Sequence, residues 1–231
     1  SYAVSRIMKI DHDIATLVGV GSSICGGSAI AAAAPVIKAS DEDIAQSISV
    51  IFLFNVIAAF LFPTLGAILG FNDMGFGMWA GTAINDTSSV VAAGQTWASA
   101  SGIDTALNYA TIVKLTRTLA IIPICLGLAY LTSKRKATTS EVKISSIFPM
   151  FIIYFLGASI INTFAGSHFD FFQFLPAIGK FMIAMAMAAI GLNTNLVKLI
   201  KTGGKPILLG LICWFCIAVV SLAMQHLLNI W

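Results

Sequence analysis

Residues 77–94 read GMWAGTAINDTSSVVAAG, and this stretch governs the interpretation of the whole chain. Small and apolar residues flank five consecutive polar ones, from Asn85 to Ser89. An unpaired aspartate at the centre of a membrane helix costs roughly 2.5–3.5 kcal/mol. We therefore predict a helix that breaks within residues 84–89 and restarts with Asp86, Thr87 or Ser88 as its N-cap. A broken helix at membrane depth commonly lines a substrate or ion site. The alternative is a packed polar kink without a ligand.

The composition of the chain is that of a membrane protein. Of its 231 residues, 58% are hydrophobic and 10% are charged, and the mean hydropathy is +0.93. These values exclude an ordinary soluble globular domain. The net charge of +3 is spread over short segments, so nucleic acid is not an expected partner. The four cysteines lie in apolar runs and the three histidines are isolated, so no metal site is expected. The fold class predicted is an all-α polytopic membrane protein.

A bilayer span needs about 20 apolar residues, and on that measure the chain contains about seven. The predicted segments are residues 14–37, 44–69, 76–98, 107–131, 147–164, 174–196 and 206–228. They make up a single transmembrane region covering residues 1–231, with the last three spans in 147–228. The first residues resemble the end of a helix, so we expect the C-terminal part of a longer protein whose N-terminal spans are absent. Isolated Asn55 and Asn162 are expected to make interhelical hydrogen bonds.

The segment 14–37 is predicted to be a second broken helix. Glycines and small polar residues are crowded into its first half, and each glycine weakens a helix interior by roughly 1 kcal/mol. Residues 23–33 and 83–93 also share a weak pattern, which suggests that the two interruptions meet in space. The candidate site residues from the two interruptions are Ser23, Cys25, Gly26, Gly27, Ser28, Asn85, Asp86, Thr87, Ser88 and Ser89.

Two cations occupy the predicted helix 107–131. Lys114 and Arg117 are three residues apart and so share one helical face, roughly 10–15 Å along the helix from Leu107. One interpretation is an anion site in which both cations join hydroxyl groups and half-helix N-termini. The other is a structural ion pair with Asp86. The sequence leaves both open, because the two arrangements can coexist.

Basic residues also predict the orientation in the membrane. Lysine and arginine gather in the loop 133–145 and in residues 198–205, whereas the alternate connections have none or few. Because cytoplasmic loops are enriched in these residues, we expect both segments in the cytoplasm and the C-terminus on the opposite side.

Five stretches resemble the YeiH-type family of proposed sulfate exporters, which is grouped with the bile acid, arsenite and riboflavin transporters. They read SSICGGSAIAAAAPVIKA, IFLFNVIAAFLFPTLG, GMWAGTAINDTSSVVAAG, ATIVKLTRTLAIIP and MAAIGLNTNL. The resemblance covers essentially the whole chain and implies a panel-and-core fold with crossing broken helices and alternating access. The sequence departs from the family's pattern at Asn85, where many relatives have histidine.

The expected function is secondary active transport of a small anion, sulfate or an organosulfonate, across a bacterial inner membrane. No phosphate-binding loop of the GxxxxGK[ST] type occurs, so coupling to an ion gradient or exchange is expected. An anion channel or a membrane sensor is the main alternative. An intramembrane enzyme is less favoured, since Asp86 has no partner acid. No cofactor is expected. The expected partners are the anion, the bilayer and a coupling ion, and homo-oligomer formation stays open.

Overall fold

A computed structural model describes residues 1–135 and 204–230, together with a few isolated positions between them. Apart from those isolated positions, the predicted spans 147–164 and 174–196 lie outside the described residues, and so does most of the basic loop 133–145. The helices of the described ranges are α1 (Tyr2–Met8), α2 (His12–Ser23), α3 (Gly27–Ile37), α4 (Asp41–Ile68), α5 (Asp73–Ala83), α6 (Thr87–Ser101), α7 (Thr105–Thr118), α8 (Ile121–Arg135) and α9 (Gly204–Leu227).

The chain divides into two compact units. The first comprises Ser1–Ile121 and Leu196–Trp231, and the second is Ile122–Asn195. All helices described here except α8 lie in the first unit.

Both predicted helix interruptions are present. One separates α2 from α3 at residues 24–26, and the other separates α5 from α6 at residues 84–86. Each half-helix has 11 to 15 residues, which at 1.5 Å per residue gives about 16–23 Å. A half-helix is therefore shorter than the roughly 30 Å hydrocarbon core, and a membrane crossing needs both halves of a pair.

In the part of the chain that the structure describes, three helical stretches are long and apolar enough to cross a membrane. They are Asp41–Ile68, Thr105–Thr132 and Gly204–Leu227. The first begins with Ser40 as its N-cap and with three acidic residues in its first turn, an arrangement that favours a helix N-terminus. It continues for 28 residues and carries Asn55 near its middle. Ser133–Arg135, predicted as the start of the basic loop, still belong to helix α8.

The predicted cationic helix 107–131 contains a turn that the sequence interpretation missed. Helix α7 ends at Thr118 and α8 begins at Ile121, with Leu119 and Ala120 in the turn. Pro123 explains it, because proline has no N–H to donate to the carbonyl four residues earlier, that of Leu119. Lys114 and Arg117 are thus in the last two turns of α7.

Helices α5 and α7 are packed with their backbones in close contact. A Cβ atom added to Gly77 would lie 2.7 Å from the carbonyl oxygen of Ala106, and one added to Gly81 would lie 2.7 Å from that of Ala110. Such distances exclude any side chain without movement of the backbone. Small residues four apart permit this approach, as in other membrane helix pairs. The contact fixes the position of the cationic face of α7 relative to α5.

Aromatic rings fill the space between α4, α5 and α9. Phe62 stacks on Trp79 with ring centroids 4.1 Å apart, and Trp214 lies 5.7 Å from Phe54. The indole N–H of Trp79 donates to the carbonyl of Ala218 at 3.2 Å. These contacts attach α9 to the half-helix that precedes the second interruption.

Candidate functional site

The two helix interruptions lie side by side, and Lys114 joins them. Its Nζ donates to the carbonyl of Ile24 at 2.8 Å and to the carbonyl of Ile84 at 2.9 Å. A Cβ atom added to Gly26 would be 3.4 Å from Cβ of Asp86. The proximity predicted for the two interruptions is therefore observed, with a fully buried lysine between them.

Arg117 makes a second connection between the same two helix ends. Its Nε donates to the carbonyl of Ser23 at 2.8 Å and its Nη2 to that of Ser22 at 2.6 Å. Its Nη1 donates to the carbonyl of Thr82. Arginine suits this position because its planar fork of N–H groups can reach several carbonyls at once.

These contacts show what the two cations do in this structure. The last carbonyls of a helix have no intrahelical partner and carry partial negative charge. Lys114 and Arg117 supply donors and positive charge to the C-terminal ends of α2 and α5. Within the described ranges, neither cation forms an ion pair with Asp86. The hydrogen bonds between the two cations and the carbonyl groups could not be predicted from the sequence, because every residue type has a backbone carbonyl.

Asp86 caps the N-terminus of α6. Its Oδ2 accepts from the backbone N–H groups of Ser88 at 3.0 Å and Ser89 at 3.4 Å, and from the hydroxyl of Ser88. Asn55 supports the same turn, since its Oδ1 accepts from the N–H groups of Asn85 at 3.2 Å and Asp86 at 3.3 Å. Asn55 thus makes the predicted hydrogen bonds, with the turn between α5 and α6 as the partner. Asn162, for which the same was predicted, lies outside the described residues. The two interruptions, residues 24–26 and 84–86, together form what is called the crossing below. The place of Asn55 beside the crossing was not predicted.

The N-terminus of α3 differs from that of α6. Gly26 is its N-cap, with φ 71° and no side chain to accept a hydrogen bond. The N–H of Gly26 donates back to the carbonyl of Gly21 at 3.0 Å, and the N–H of Ala29 contacts the Cys25 thiol. The N–H groups of Gly27 and Ser28 have no acceptor among the residues that the structure describes.

Several buried polar atoms near the crossing also lack a partner in the described part of the chain. They are Nδ2 of Asn55, both side-chain atoms of Asn85 and Oγ of Ser22. Asn55 is 1% exposed and Asn85 is 0% exposed. Buried polar atoms are nearly always hydrogen-bonded, so a group of unpaired ones indicates an additional solute or water.

The remaining predicted site residues divide by exposure. Cys25 and Ser89 are buried, Gly27, Thr87 and Ser88 are half-buried, and the side chains of Ser23 and Ser28 are exposed. The structure therefore gathers the two interruptions and both cations around one crossing. Only part of that set faces open space.

A cleft of about 560 Å³ lies between α5, α7 and α9 and reaches the crossing at Ser23 and Arg117. Its other polar lining residues are Thr82, Ser221 and Gln225, and its remaining walls are mostly apolar. The hydroxyls of Thr82 and Ser221 hydrogen-bond to each other. A cleft of this size admits a small solute.

The chain matches a family model described as Conserved hypothetical protein 698 over residues 1–210. It is 57% identical over 239 residues to a protein of Streptococcus mutans serotype c named UPF0324 membrane protein, covering all of this chain and 70% of the relative. The chain belongs to the UPF0324 membrane protein family.

Two other members of the UPF0324 family show the same relationship. A Streptococcus pyogenes serotype M3 protein is 56% identical over 237 residues, covering all of this chain and 70% of the relative. A Fusobacterium nucleatum protein is 53% identical over 245 residues, covering all of this chain and 71% of the relative. These names support a membrane location and state no transported substrate, so the sulfate exporter resemblance stays a prediction. No solved structure matches the chain.

Proposed function

We propose that this UPF0324 family member is a multi-pass secondary transporter of a small anion in the bacterial inner membrane. The observation that carries the proposal is the crossing of two broken helices, whose interruptions meet at a buried lysine. Interrupted helices cost backbone hydrogen bonds, and in membranes they are tolerated where they are buried in protein or line a cavity. In transporters that cavity is commonly the substrate or ion site.

The charges at the crossing favour an anion over a cation. Lys114, Arg117 and Asp86 together carry a formal charge of +1. Two half-helices also start there, and each N-terminus carries partial positive charge. The carbonyl groups that would attract a cation at the ends of α2 and α5 already accept hydrogen bonds from Lys114 and Arg117.

The cleft supports an access route. It borders the crossing at Ser23 and Arg117, and it is lined by hydroxyl and amide groups on otherwise apolar walls. A small anion entering along this surface would meet polar groups near the interruption. Movement of the crossing between two sides of the membrane would complete alternating access.

Counterflow of radiolabelled sulfate in proteoliposomes tests the proposal. We expect labelled sulfate to enter faster when unlabelled sulfate is inside the vesicle, with a rate that saturates as external sulfate rises. Exchange requires a binding site that reorients, which a simple pore lacks. Protein-free liposomes are the control. Uptake without saturation or acceleration by internal sulfate would instead indicate a channel, and no uptake of sulfate, sulfonate or phosphate would contradict anion transport.

A further inference from the structure

We propose that the anion binds at the N-terminus of α3, held by the N–H groups of Gly27 and Ser28 and by Nδ2 of Asn55, and that Lys114 and Arg117 do not contact it. This proposal rests on the proposed function and specifies the site. The ligand class is a small oxyanion such as sulfate, bound without covalent chemistry.

The four helix ends at the crossing differ in which charged side chain contacts them. The C-terminal ends of α2 and α5 receive hydrogen bonds from Lys114 and Arg117. The N-terminus of α6 receives the carboxylate of Asp86. Among the described residues, the N-terminus of α3 receives no charged side chain. It is the helix end whose partial charge is left for a ligand.

Asn55 provides an independent sign of a missing partner at this helix end. Its Oδ1 is committed to the N–H groups of Asn85 and Asp86, which fixes the orientation of the amide. Nδ2 is consequently the free donor, and the residue is 99% buried. A Cβ atom placed on Gly26 would lie 3.4 Å from this Nδ2. The unpaired donor therefore lies next to the N-cap of α3.

Glycine at position 26 is required by the local backbone conformation. Its φ of 71° is a conformation that residues with a side chain rarely adopt. A side chain there would also contact Asn55, Asp86 and Ile51. Without it, the backbone N–H groups at the start of α3 can approach an oxyanion directly, as in other glycine-rich anion sites.

The nearby carboxylate of Asp86 does not prevent anion binding. Its Oδ2 accepts hydrogen bonds from Ser88 and Ser89, so part of its charge is neutralised by α6. The two cations that hold the other helix ends outnumber it. They contribute through the local field, while the direct contacts come from α3 and Asn55.

Ser28→Asp tests the site because it places a permanent carboxylate at the start of α3. The side chain of Ser28 is exposed, and an acid in the first turn stabilises a helix, which offsets part of the cost of a carboxylate within a membrane span. Affinity is therefore measured only on variant protein that is shown to be folded and monodisperse. We expect sulfate affinity, measured by calorimetry on purified protein in nanodiscs, to fall at least about tenfold. Thr105→Asp, at an exposed first-turn position of α7, is the matched control and should stay within about twofold of the wild type.

Asn55→Asp provides a second test, since it keeps the acceptor for Asn85 and Asp86 and replaces the free donor with an acceptor. We expect a similar loss of sulfate affinity, with Asn108→Asp on the exposed part of α7 as its control. Sulfate affinity within about twofold of the wild type in folded Ser28→Asp protein would overturn the proposed site.

Measurements on the wild-type protein distinguish a failure of the α3 site from a failure of the proposed transport function. If it exchanges sulfate while Ser28→Asp binds sulfate normally, the α3 site is wrong and the transport function stands. If the wild type neither binds nor exchanges sulfate, sulfonate or phosphate, both are wrong. Loss of binding in Ser28→Asp, together with normal binding in Thr105→Asp, supports both.

Discussion

At the scale of single residues, Lys114 has the most unusual position. Its side chain is fully buried, and its amine contacts carbonyls from two different helix ends. A buried carbonyl that loses its hydrogen-bond partner costs about 1–3 kcal/mol. Lys114 therefore contributes to folding whatever its role in transport, because Ile24 and Ile84 have no other described partner for these carbonyls.

Lys114→Met is expected to lower the free energy of unfolding by about 2–4 kcal/mol, since methionine fills similar space and leaves two carbonyls unpaired. Leu115→Met, at the neighbouring exposed position, is the control and should change stability by less than about 1.5 kcal/mol. Unfolding in detergent, followed by circular dichroism, measures both variants. Equal stability of the two would contradict a net stabilising contribution from the carbonyl contacts of Lys114.

Arg117→Lys separates a structural role from a ligand role, because it keeps the charge and removes the fork of N–H groups. We expect the free energy of unfolding to fall by about 1–3 kcal/mol as carbonyls of α2 and α5 lose partners. Sulfate affinity of the folded variant should stay within about twofold of the wild type. A tenfold loss of sulfate affinity at unchanged stability would instead indicate that Arg117 contacts the anion directly, which is the other interpretation of the sequence.

At the scale of helices, the close contact of α5 and α7 determines where the cations lie. Gly77 and Gly81 let the backbone of α7 approach α5, and Lys114 and Arg117 follow about one and two turns beyond that contact. A shift of α7 by even a fraction of a turn would take both side chains away from their carbonyl partners. The packing of two small residues thus supports polar contacts farther along the same helix.

Gly81→Ala is expected to destabilise the protein by about 1–3 kcal/mol, because the added methyl meets the backbone carbonyl of Ala110, which cannot rotate aside. Gly127→Ala in α8 is the matched control. A Cβ atom there meets no described residue within 4 Å, so alanine should leave stability unchanged or raise it by up to about 1 kcal/mol. Thermal unfolding compares the two, and an equal or higher midpoint for Gly81→Ala would contradict the close packing.

Some of these helices could be predicted from residue types alone. The polar run at Asn85 and the glycines around Gly26 correctly indicated both interruptions, because such residues are costly inside an apolar helix. The turn at Leu119 was missed although Pro123 marks it. The hydrogen bonds of Lys114 could not be predicted, since their acceptors are main-chain carbonyls brought together by tertiary packing.

At the scale of the whole molecule, four helix ends and three charged side chains come together at the crossing. The C-terminal ends of α2 and α5 and the N-terminal ends of α3 and α6 meet there. Side chains from α7 neutralise the negative ends, and Asp86 occupies one positive end. The arrangement leaves the α3 N-terminus for an anion, and Lys114 and Arg117 hold the two broken helices together. We expect the crossing to move as one unit during transport.

The most direct test of this account is to locate the anion itself. Crystals of the protein soaked in selenate, an isostere of sulfate, should give an anomalous selenium peak at the crossing. We predict that the selenate ion at this peak has oxygens about 3 Å from the backbone nitrogens of Gly27 and Ser28 and from Nδ2 of Asn55. A peak in direct contact with Lys114 and Arg117, or no peak at the crossing at saturating selenate, would contradict the account.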